Sequence, residues 1–341
     1  MTQVTIERSA EIETEEPTEP LKVVRVRHWG RWAVSAVIIL LIAQFLWSLV
    51  ANEKYGWGTF GEYFFSDAVL DGLLMTLWLT VISIVGGFII GTVLAVFRLS
   101  SSTLLNAVAW WYIWFFRSVP ILVQVLVWYN LGYLYPRLGL GTPFTDDFWI
   151  FSFPTTSLLT AFAAVAIGLT LHQAAYSAEI IRGGIVSVDA GQTHAAAALG
   201  LPRRVRFFRI ILPQAARSIL PAGFNEIVGQ VKGTSVAFIV ALPELFYSVQ
   251  VIYGRNQQII PLLLVAVVWY AIITTVLSVV QYYVERRFSR GTVDLPPTPI
   301  YRAKKQITDL WHRLGEEDGK ASPAVTSQTD TVTSYTDKES V

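Results

Sequence analysis

Cysteine is absent from all 341 residues, and charged residues make up only 15% of the chain. The missing cysteine excludes a disulfide scaffold, a thiol nucleophile and a cysteine-ligated metal site. The four histidines form no H-x-x-x-H pair, so no metal site is expected; His172, inside an apolar segment, either lines a pathway or packs as a core residue. Soluble domains carry about 25% charged residues, whereas 53% of this chain is hydrophobic. The composition indicates a protein solvated by lipid, and the net charge of +1 indicates no nucleic-acid partner.

A phosphate-binding loop is also missing. ATP hydrolysis needs the pattern G-x-x-x-x-G-K-[ST], in which backbone N–H groups and the lysine hold the phosphates. The stretch 229–234 contains these residue types in the wrong order. The chain is therefore expected to be no enzyme and to hold no cofactor. If it transports a substrate actively, the energy has to come from a partner.

Six apolar segments are long enough, or nearly so, to cross a membrane as helices. About 20 apolar residues cover a hydrocarbon layer of about 30 Å, and a helix satisfies its own backbone in lipid. The second and third segments are overlong and must tilt, break or protrude; the third contains Pro120, which can break it. The sequence therefore predicts an all-α polytopic membrane protein with six transmembrane helices, at 33–50, 69–97, 104–134, 157–181, 219–240 and 259–284.

Lysine and arginine are concentrated on one side of this arrangement. They precede the first segment, follow the sixth and crowd the loop 183–218, whereas the opposite loops hold only Lys54, Arg137 and Arg255. Because short basic loops stay in the cytoplasm, both termini are predicted to be cytoplasmic. The tails, 1–30 and 291–341, are polar and are expected to be disordered.

The loop 183–218 is the only long connection on the basic side. An alanine-rich stretch and a stretch that mixes basic and apolar residues are separated by Gly200 and Pro202, which predicts two short amphipathic helices joined by a turn. Such an ordered loop is a candidate docking surface for a partner. A basic loop that lies on anionic lipid headgroups is the alternative, and composition alone does not choose between them.

This loop reads HAAAALGLPRRVRFFRIILPQ and resembles the cytoplasmic signature of permease subunits of bacterial ATP-binding-cassette (ABC) importers. His194 stands where the family usually has glutamate, and the family's acidic residue helps to form the contact with the ATPase subunit. A histidine there is expected to weaken or retune that contact. The resemblance implies that the ATPase contact is made by His194, Ala195, Ala196, Gly200, Ile210, Leu212 and Pro213.

Three further segments are similar to the polar-amino-acid branch of that family. They are FFRSVPILVQ (115–124), HQAAYSAEIIRGGI (172–185) and VKGTSVAF (231–238). The resemblance implies a MetI-like type I importer core at 66–290, in a bacterial plasma (inner) membrane, with the coupling loop at 183–218. One extra N-terminal transmembrane helix, at 31–52, lies outside the family's common five-span subunit.

Ionisable and polar side chains inside the predicted spans are candidates for a substrate pathway, because charges in lipid are costly and usually functional. An amino-acid zwitterion needs a cation for its carboxylate, for which Arg117 and Lys232 are suited. Its ammonium group needs an acceptor, for which Glu179 and Glu226 are suited. The predicted pathway consists of Arg117, Gln124, Tyr176, Glu179, Glu226 and Lys232.

Each of these charged residues also has a structural explanation. Glu179 lies three residues before Arg182, a spacing that favours an ion pair on one helical face. Glu226 and Lys232 are an alternative internal pair, although six residues do not place them on one face. Arg117 alternatively forms a structural salt bridge.

The leading hypothesis is the permease subunit of an importer for polar amino acids. The resemblance implies a dimer with itself or a similar chain, ATPase subunits that carry ATP and Mg²⁺, and an extracytoplasmic binding protein that contacts outer loops such as 136–154, with Asp146 and Asp147. One alternative is an ion-coupled secondary amino-acid transporter, for which an inverted repeat is expected and none is evident. A membrane scaffold without transport activity is another.

Overall fold

A computed structural model describes residues 29–141 and 149–288, together with Thr308. In chain order, the helices are α1 (Trp29–Ala51), α2 (Trp57–Phe64), α3 (Asp67–Arg98), α4 (Thr103–Ser118), α5 (Ile121–Tyr129), α6 (Leu131–Leu134), α7 (Thr155–Leu158), α8 (Ala161–Val186), α9 (Ala190–Ala198), α10 (Arg203–Arg206), α11 (Leu212–Gly233), α12 (Leu245–Asn256) and α13 (Ile259–Phe288). Two 3₁₀ segments (Glu53–Tyr55 and Thr234–Val240), a π-helical segment (Phe207–Ile211) and two strands, β1 (Arg137–Gly141) and β2 (Trp149–Pro154), complete the described structure. The predicted disordered tails lie outside these residues, apart from Trp29 and Gly30 of the first and Thr308 of the second.

Four helices are long and apolar enough to cross a membrane, namely Ala33–Ala51 of α1 and the whole of α3, α8 and α13. Two bent pairs meet the same test when each pair is taken as one span. They are α4 with α5, bent by 101°, and the helix Arg203–Val240 with α12, bent by 47°. The described residues therefore hold four to six spans, and the predicted six requires each bent pair to be one crossing.

The sharper bend lies at Pro120, between α4 and α5. Proline has no N–H to donate, and its ring clashes with the preceding helical turn. α4 accordingly ends at Ser118, and α5 begins at Ile121 with Pro120 as its N-terminal cap residue. The overlong third segment is thus accommodated by a break at its proline.

Helices α3 and α8 pack closely. They run parallel, because residues further along α3 contact residues further along α8. A Cβ atom added to Gly87 would lie 2.5 Å from Cγ of Gln173, and one added to Gly91 would lie 2.6 Å from Cβ of Ser177. Small residues let helix backbones approach in this way when lipid removes the hydrophobic drive for association. Gly87 and Gly91, which are four residues apart on α3, therefore form the close contact between α3 and α8.

Helix α11 runs antiparallel to this pair and packs against α13. Gln230 donates to Ser83 Oγ of α3 at 2.9 Å, and a Cβ on Gly184 of α8 would meet Ile219 of α11 at 2.3 Å. α3 and α8 therefore end, and α4 and α11 begin, at the same end of the bundle. Helix α9 connects α8 to α11 at this end of the bundle, which is called the α9 end; the opposite end of the bundle is called the far end. Buried apolar side chains fill the space between these helices, among them Leu79, Val125, Leu169, Val231, Leu245, Leu262 and Val265.

Two parts of the structure stand apart from this bundle. None of the most apolar part of α1 is buried, and Trp57 Nε1 donates to Leu49 O at 2.9 Å where α1 meets the next helix. β1 and β2 form an antiparallel hairpin with Leu138 opposite Phe153, a feature that the sequence did not predict. Asp146 and Asp147, proposed to contact a binding protein, lie outside the described residues.

Replacing Gly91 with alanine tests the close contact of α3 and α8. Overpacking a well-packed interior costs typically about 1–3 kcal/mol, so Gly91→Ala should lower the midpoint of thermal unfolding in detergent, followed by tryptophan fluorescence. Gly183→Ala is the matched control, because its Cβ would meet nothing within 4 Å and alanine favours a helix. Equal midpoints for the two variants would contradict the packing described here.

Candidate functional site

Helix α9 ends in a turn that requires glycine. Gly200 has a φ of +69°, in the left-handed region that costs other residues roughly 1–2 kcal/mol. Its N–H donates to Ala197 O at 2.9 Å, and the N–H of Leu201 donates to Ala196 O at 3.1 Å. These two bonds form a Schellman motif, which closes the carbonyl end of a helix. The first of the two predicted short helices is therefore present and has a defined end.

The prediction of a second short helix was wrong, because the helix that contains the basic stretch continues into a membrane span. α10 continues through the π-helical segment Phe207–Ile211 into α11. Leu212 N–H donates to Phe207 O, one residue further back than in an α-helix. Pro213 supplies the reason, since proline disrupts the α-helical bond to the carbonyl four residues earlier and a π-bulge absorbs such a local irregularity. A single helix thus leads from the loop to Gly233.

The predicted coupling residues lie on and beside α9, but they differ in accessibility. α9 packs against α10 and the π-helical segment, and Ala196 faces inward with 3% of its surface exposed. The exposed surface is apolar in two further places, with Leu199 77% and Phe208 62% exposed. Of the predicted residues, His194, Ala195, Gly200 and Pro213 are exposed, Ile210 and Leu212 are half-buried, and Ala196 is buried.

A cleft of about 410 Å³ opens between α3, α4 and α8. The cleft lies toward the α9 end, because Arg98, the last residue of α3, is one of its lining residues. Three predicted pathway residues, Arg117, Tyr176 and Glu179, line the same cleft. The remaining lining residues are Trp110, Ile113, Trp114 and Ser118.

Two charge contacts organise this cleft. The guanidinium carbon of Arg117 lies 5.2 Å from the centroid of the Tyr176 ring, a cation–π distance. Glu179 accepts from Arg182 Nη2 at 2.7 Å and from Nε at 3.1 Å, so the ion pair that was the structural alternative for Glu179 is present. Arg117 forms no ion pair within the described residues. A cationic group that enters the cleft would have to share Glu179 with Arg182.

Gln124 belongs to the packed wall at the break between α4 and α5. It is 4% exposed, and its Nε2 donates to Phe116 O at 2.9 Å and to Val119 O at 2.7 Å. The same nitrogen lies 3.1 Å from His172 Nδ1, and the His172 ring lies against Tyr176. Gln124 thus satisfies carbonyl groups that the proline break leaves without helical partners, which gives it a structural role.

Glu226 and Lys232 are not brought together. Among the described residues they form no ion pair with each other, as their spacing along α11 predicts. Glu226 is half-buried, whereas Lys232 is exposed. Neither lines the cleft that holds Arg117.

Sequence reasoning missed several lining residues of the cleft. Trp110, Trp114 and Arg117 are spaced by four and three residues on α4, which puts them on one helical face. That spacing was a signal for the set. Arg98 carried no comparable signal, because only the packing of α3 against α4 and α8 brings it to the cleft.

Comparisons with known proteins agree with this architecture. Residues 84–290 match the family described as "Binding-protein-dependent transport system inner membrane component". The crystal structure of an amino acid ABC transporter with histidines contains a chain that is 31% identical, with a TM-score of 0.55 over 64% of this chain and 94% of that one. The predicted importer-permease fold is thereby confirmed.

Two curated relatives show the extent of the similarity. The arginine transport system permease protein ArgU of Corynebacterium glutamicum is 41% identical over 282 residues, covering 80% of this chain and 85% of that protein. The glutamate/aspartate import permease protein GltK of Escherichia coli O6:H1 is 36% identical over 225 residues, covering 64% of this chain and 92% of that protein. The likeness therefore spans most of the length of both relatives.

Two substitutions of Gly200 test the turn that ends α9. Gly200→Ala should speed hydrogen exchange of the Leu201 amide about tenfold, because the left-handed backbone then costs about 1.4 kcal/mol. Gly200→Asn should have a smaller effect, since asparagine adopts this conformation more readily. Hydrogen exchange with mass spectrometry would measure both. No neighbour lies within 4 Å of the added Cβ, so a steric clash does not explain an effect of either variant. Equal exchange rates in the two variants would therefore contradict the left-handed φ of residue 200 as the cause.

Proposed function

Because this chain belongs to the inner membrane components of binding-protein-dependent transport systems, we propose that it is the permease subunit of an ABC importer for polar amino acids, coupled to a separate ATPase. The observation that carries this proposal is the unbroken helix from Arg203 to Val240, which joins the α9 surface to a membrane span. A push on α9 is transmitted along this helix into the bundle. An ion-coupled secondary transporter has no ATPase partner to which such a connection would transmit motion.

The α9 surface suits an apolar groove on an ATPase. Leu199 and Phe208 are exposed, and the small side chains of Ala195 and Ala198 permit close approach. Arginines at the start of α10 add positive charge around this surface, which sets the rate and register of docking more than its affinity. The proposed coupling residues are His194, Ala195, Ala196, Gly200, Ile210, Leu212 and Pro213.

One face of α11 supports a pathway enclosed by two subunits. Ser218, Asn225, Gly229 and Lys232 are exposed and recur every three, four or seven residues, as one helical face requires. A charged side chain facing lipid is costly, so this face fits water or another subunit. We infer that a second copy, or a similar chain, faces α11 across the substrate pathway.

The cleft of Arg117, Tyr176 and Glu179 supports a zwitterionic substrate. The relatives are named for arginine and for glutamate/aspartate, so their side chains differ in charge but their α-carboxylate is the same. Arg117, without an ion pair among the described residues, is suited to that carboxylate. Gln124, Glu226 and Lys232 remain proposed pathway residues. The proposed orientation has both termini and α9 in the cytoplasm, with a binding protein docking at the far end.

Co-purification tests the coupling surface. A tagged wild-type chain extracted in mild detergent should retain an ATPase subunit at about one copy per permease, and a Gly200 variant with a bulky side chain, such as Gly200→Leu, should lose it because the turn is strained. Mass spectrometry of the purified complexes measures both. A wild-type chain that purifies alone and moves amino acids in liposomes without ATP would contradict the proposal.

Replacing Arg117 tests the cleft. Arg117→Ala should raise the half-saturating substrate concentration for uptake about tenfold or more, because a hydrogen bond to a charged group is worth about 1.5–3 kcal/mol. Arg117→Lys keeps the charge and should lose less. Uptake of labelled L-arginine and L-glutamate in reconstituted liposomes gives the measurement, and unchanged half-saturation for both would remove Arg117 from the pathway.

A further inference from the structure

Glu244 is a fully buried acidic residue at the far end of the bundle. Its exposed fraction is 0%, and it lies where the chain passes from the 3₁₀ segment Thr234–Val240 into α12. Ala241, three residues earlier, has a φ of 55°, a conformation that persists only where surrounding contacts hold it. This stretch, 241–244, is the joint between the two halves of a bent span.

Four hydrogen-bond donors, two backbone N–H groups and two hydroxyl groups, face the carboxyl group of Glu244. Oε1 accepts from Tyr247 N–H at 2.8 Å, and Oε2 accepts from Phe246 N–H at 3.0 Å. Oε2 also accepts from the hydroxyl of Tyr270 at 3.1 Å and faces the hydroxyl of Thr76 at 3.5 Å. A carboxylate accepts such a set, because it has acceptor positions only.

These contacts join three helices at one point. The two backbone N–H groups belong to the first turn of α12, Tyr270 belongs to α13 and Thr76 belongs to α3. The N–H of Leu245 also donates to Thr76 Oγ1 at 3.1 Å. α3 comes this close because Gly72 has no side chain; a Cβ there would lie 2.5 Å from Ser248 Oγ and 3.0 Å from Glu244 O.

Glutamate is an unusual residue for capping a helix. Serine, threonine, aspartate and asparagine are preferred, and any of them would satisfy the first turn of α12 from a shorter side chain. The longer side chain of Glu244 reaches Tyr270 at the same time. Within the described residues Glu244 forms no ion pair, so its burial depends on these donors. The geometry indicates a tether between helices as well as a cap.

We propose that Glu244 is a positioning residue of the transport cycle, which holds the joint 241–244 against α3 and α13 while α11 is moved from the α9 end. Movement of α11 at the α9 end can open the pathway only if the joint at the other end of this helix is held in place. When the tether is loosened, the motion of α11 is dissipated at the joint instead of opening the pathway. This inference rests on the proposed function, because it assigns a mechanical role within ATP-driven import.

The test is the number of ATP molecules hydrolysed per substrate molecule transported. Tyr270→Phe removes the hydroxyl that binds Glu244 and keeps the ring. In the complex that co-purifies with the permease, reconstituted in liposomes with its binding protein, it should raise this ratio roughly threefold to tenfold, as expected for loss of one ordinary hydrogen bond. Labelled L-arginine and L-glutamate are the probes, measured separately.

Tyr283→Phe is the matched control on the same helix, because Tyr283 is 64% exposed; its ratio should equal that of the wild type. Glu244→Asp, which retains the cap but shortens the reach to Tyr270, should raise the ratio as Tyr270→Phe does. A purely structural role would lower the yield of folded complex and leave the ratio unchanged, and that result would overturn the inference.

The experiment distinguishes failure of the proposed transport function from failure of the proposed role of Glu244. If the wild-type complex transports neither these probes nor any other polar amino acid at the expense of ATP, the proposed function itself is wrong and this inference falls with it. If the wild type couples ATP hydrolysis to transport and both variants keep its ratio, only the role of Glu244 is wrong.

Discussion

The parallel contact between α3 and α8 is the constraint on which the rest of the bundle depends. Lipid offers no hydrophobic drive for helix association, so helices must approach closely enough for dispersion and polar contacts to act. Gly87 and Gly91 permit that approach along the middle of α3. Because both helices run in the same direction, the chain has to cross back from the end of α3 to the far end of the bundle before α8 begins. The returning segment is α4 with α5, and its placement creates the cleft.

The break at Pro120 and the continuity at Pro213 show how proline acts differently in two contexts. At Pro120 the helix ends, and buried Gln124 donates to the carbonyl groups of Phe116 and Val119. At Pro213 a π-helical segment absorbs the disruption, and the helix continues. The first proline thus shapes the wall of the cleft. The second leaves the helical connection between the α9 surface and the membrane spans intact, because the π-helical segment compensates for it.

Charge is distributed unequally along the bundle. Toward the α9 end, Arg98 and Arg117 line an open cleft, and the acidic Glu179 beside them is already bound by Arg182. At the far end, the acidic Glu244 is buried among donors without an ion pair in the described residues. Arg98 and Arg117 therefore leave positive charge accessible at the site that is proposed to bind substrate. The buried Glu244 belongs to the joint that is proposed to hold the helices in place.

The sequence by itself determined the membrane class, the helical architecture and the family, because apolar length and a loop motif are local properties of the chain. It also predicted that Glu179 has Arg182 as a neighbour, since three residues on a helix fix that contact. Only the tertiary structure decided which distant residues meet. Arg98 joins Arg117, and Glu244 joins Thr76 and Tyr270, because helix packing brings together residues whose separation along the chain carries no periodic signal.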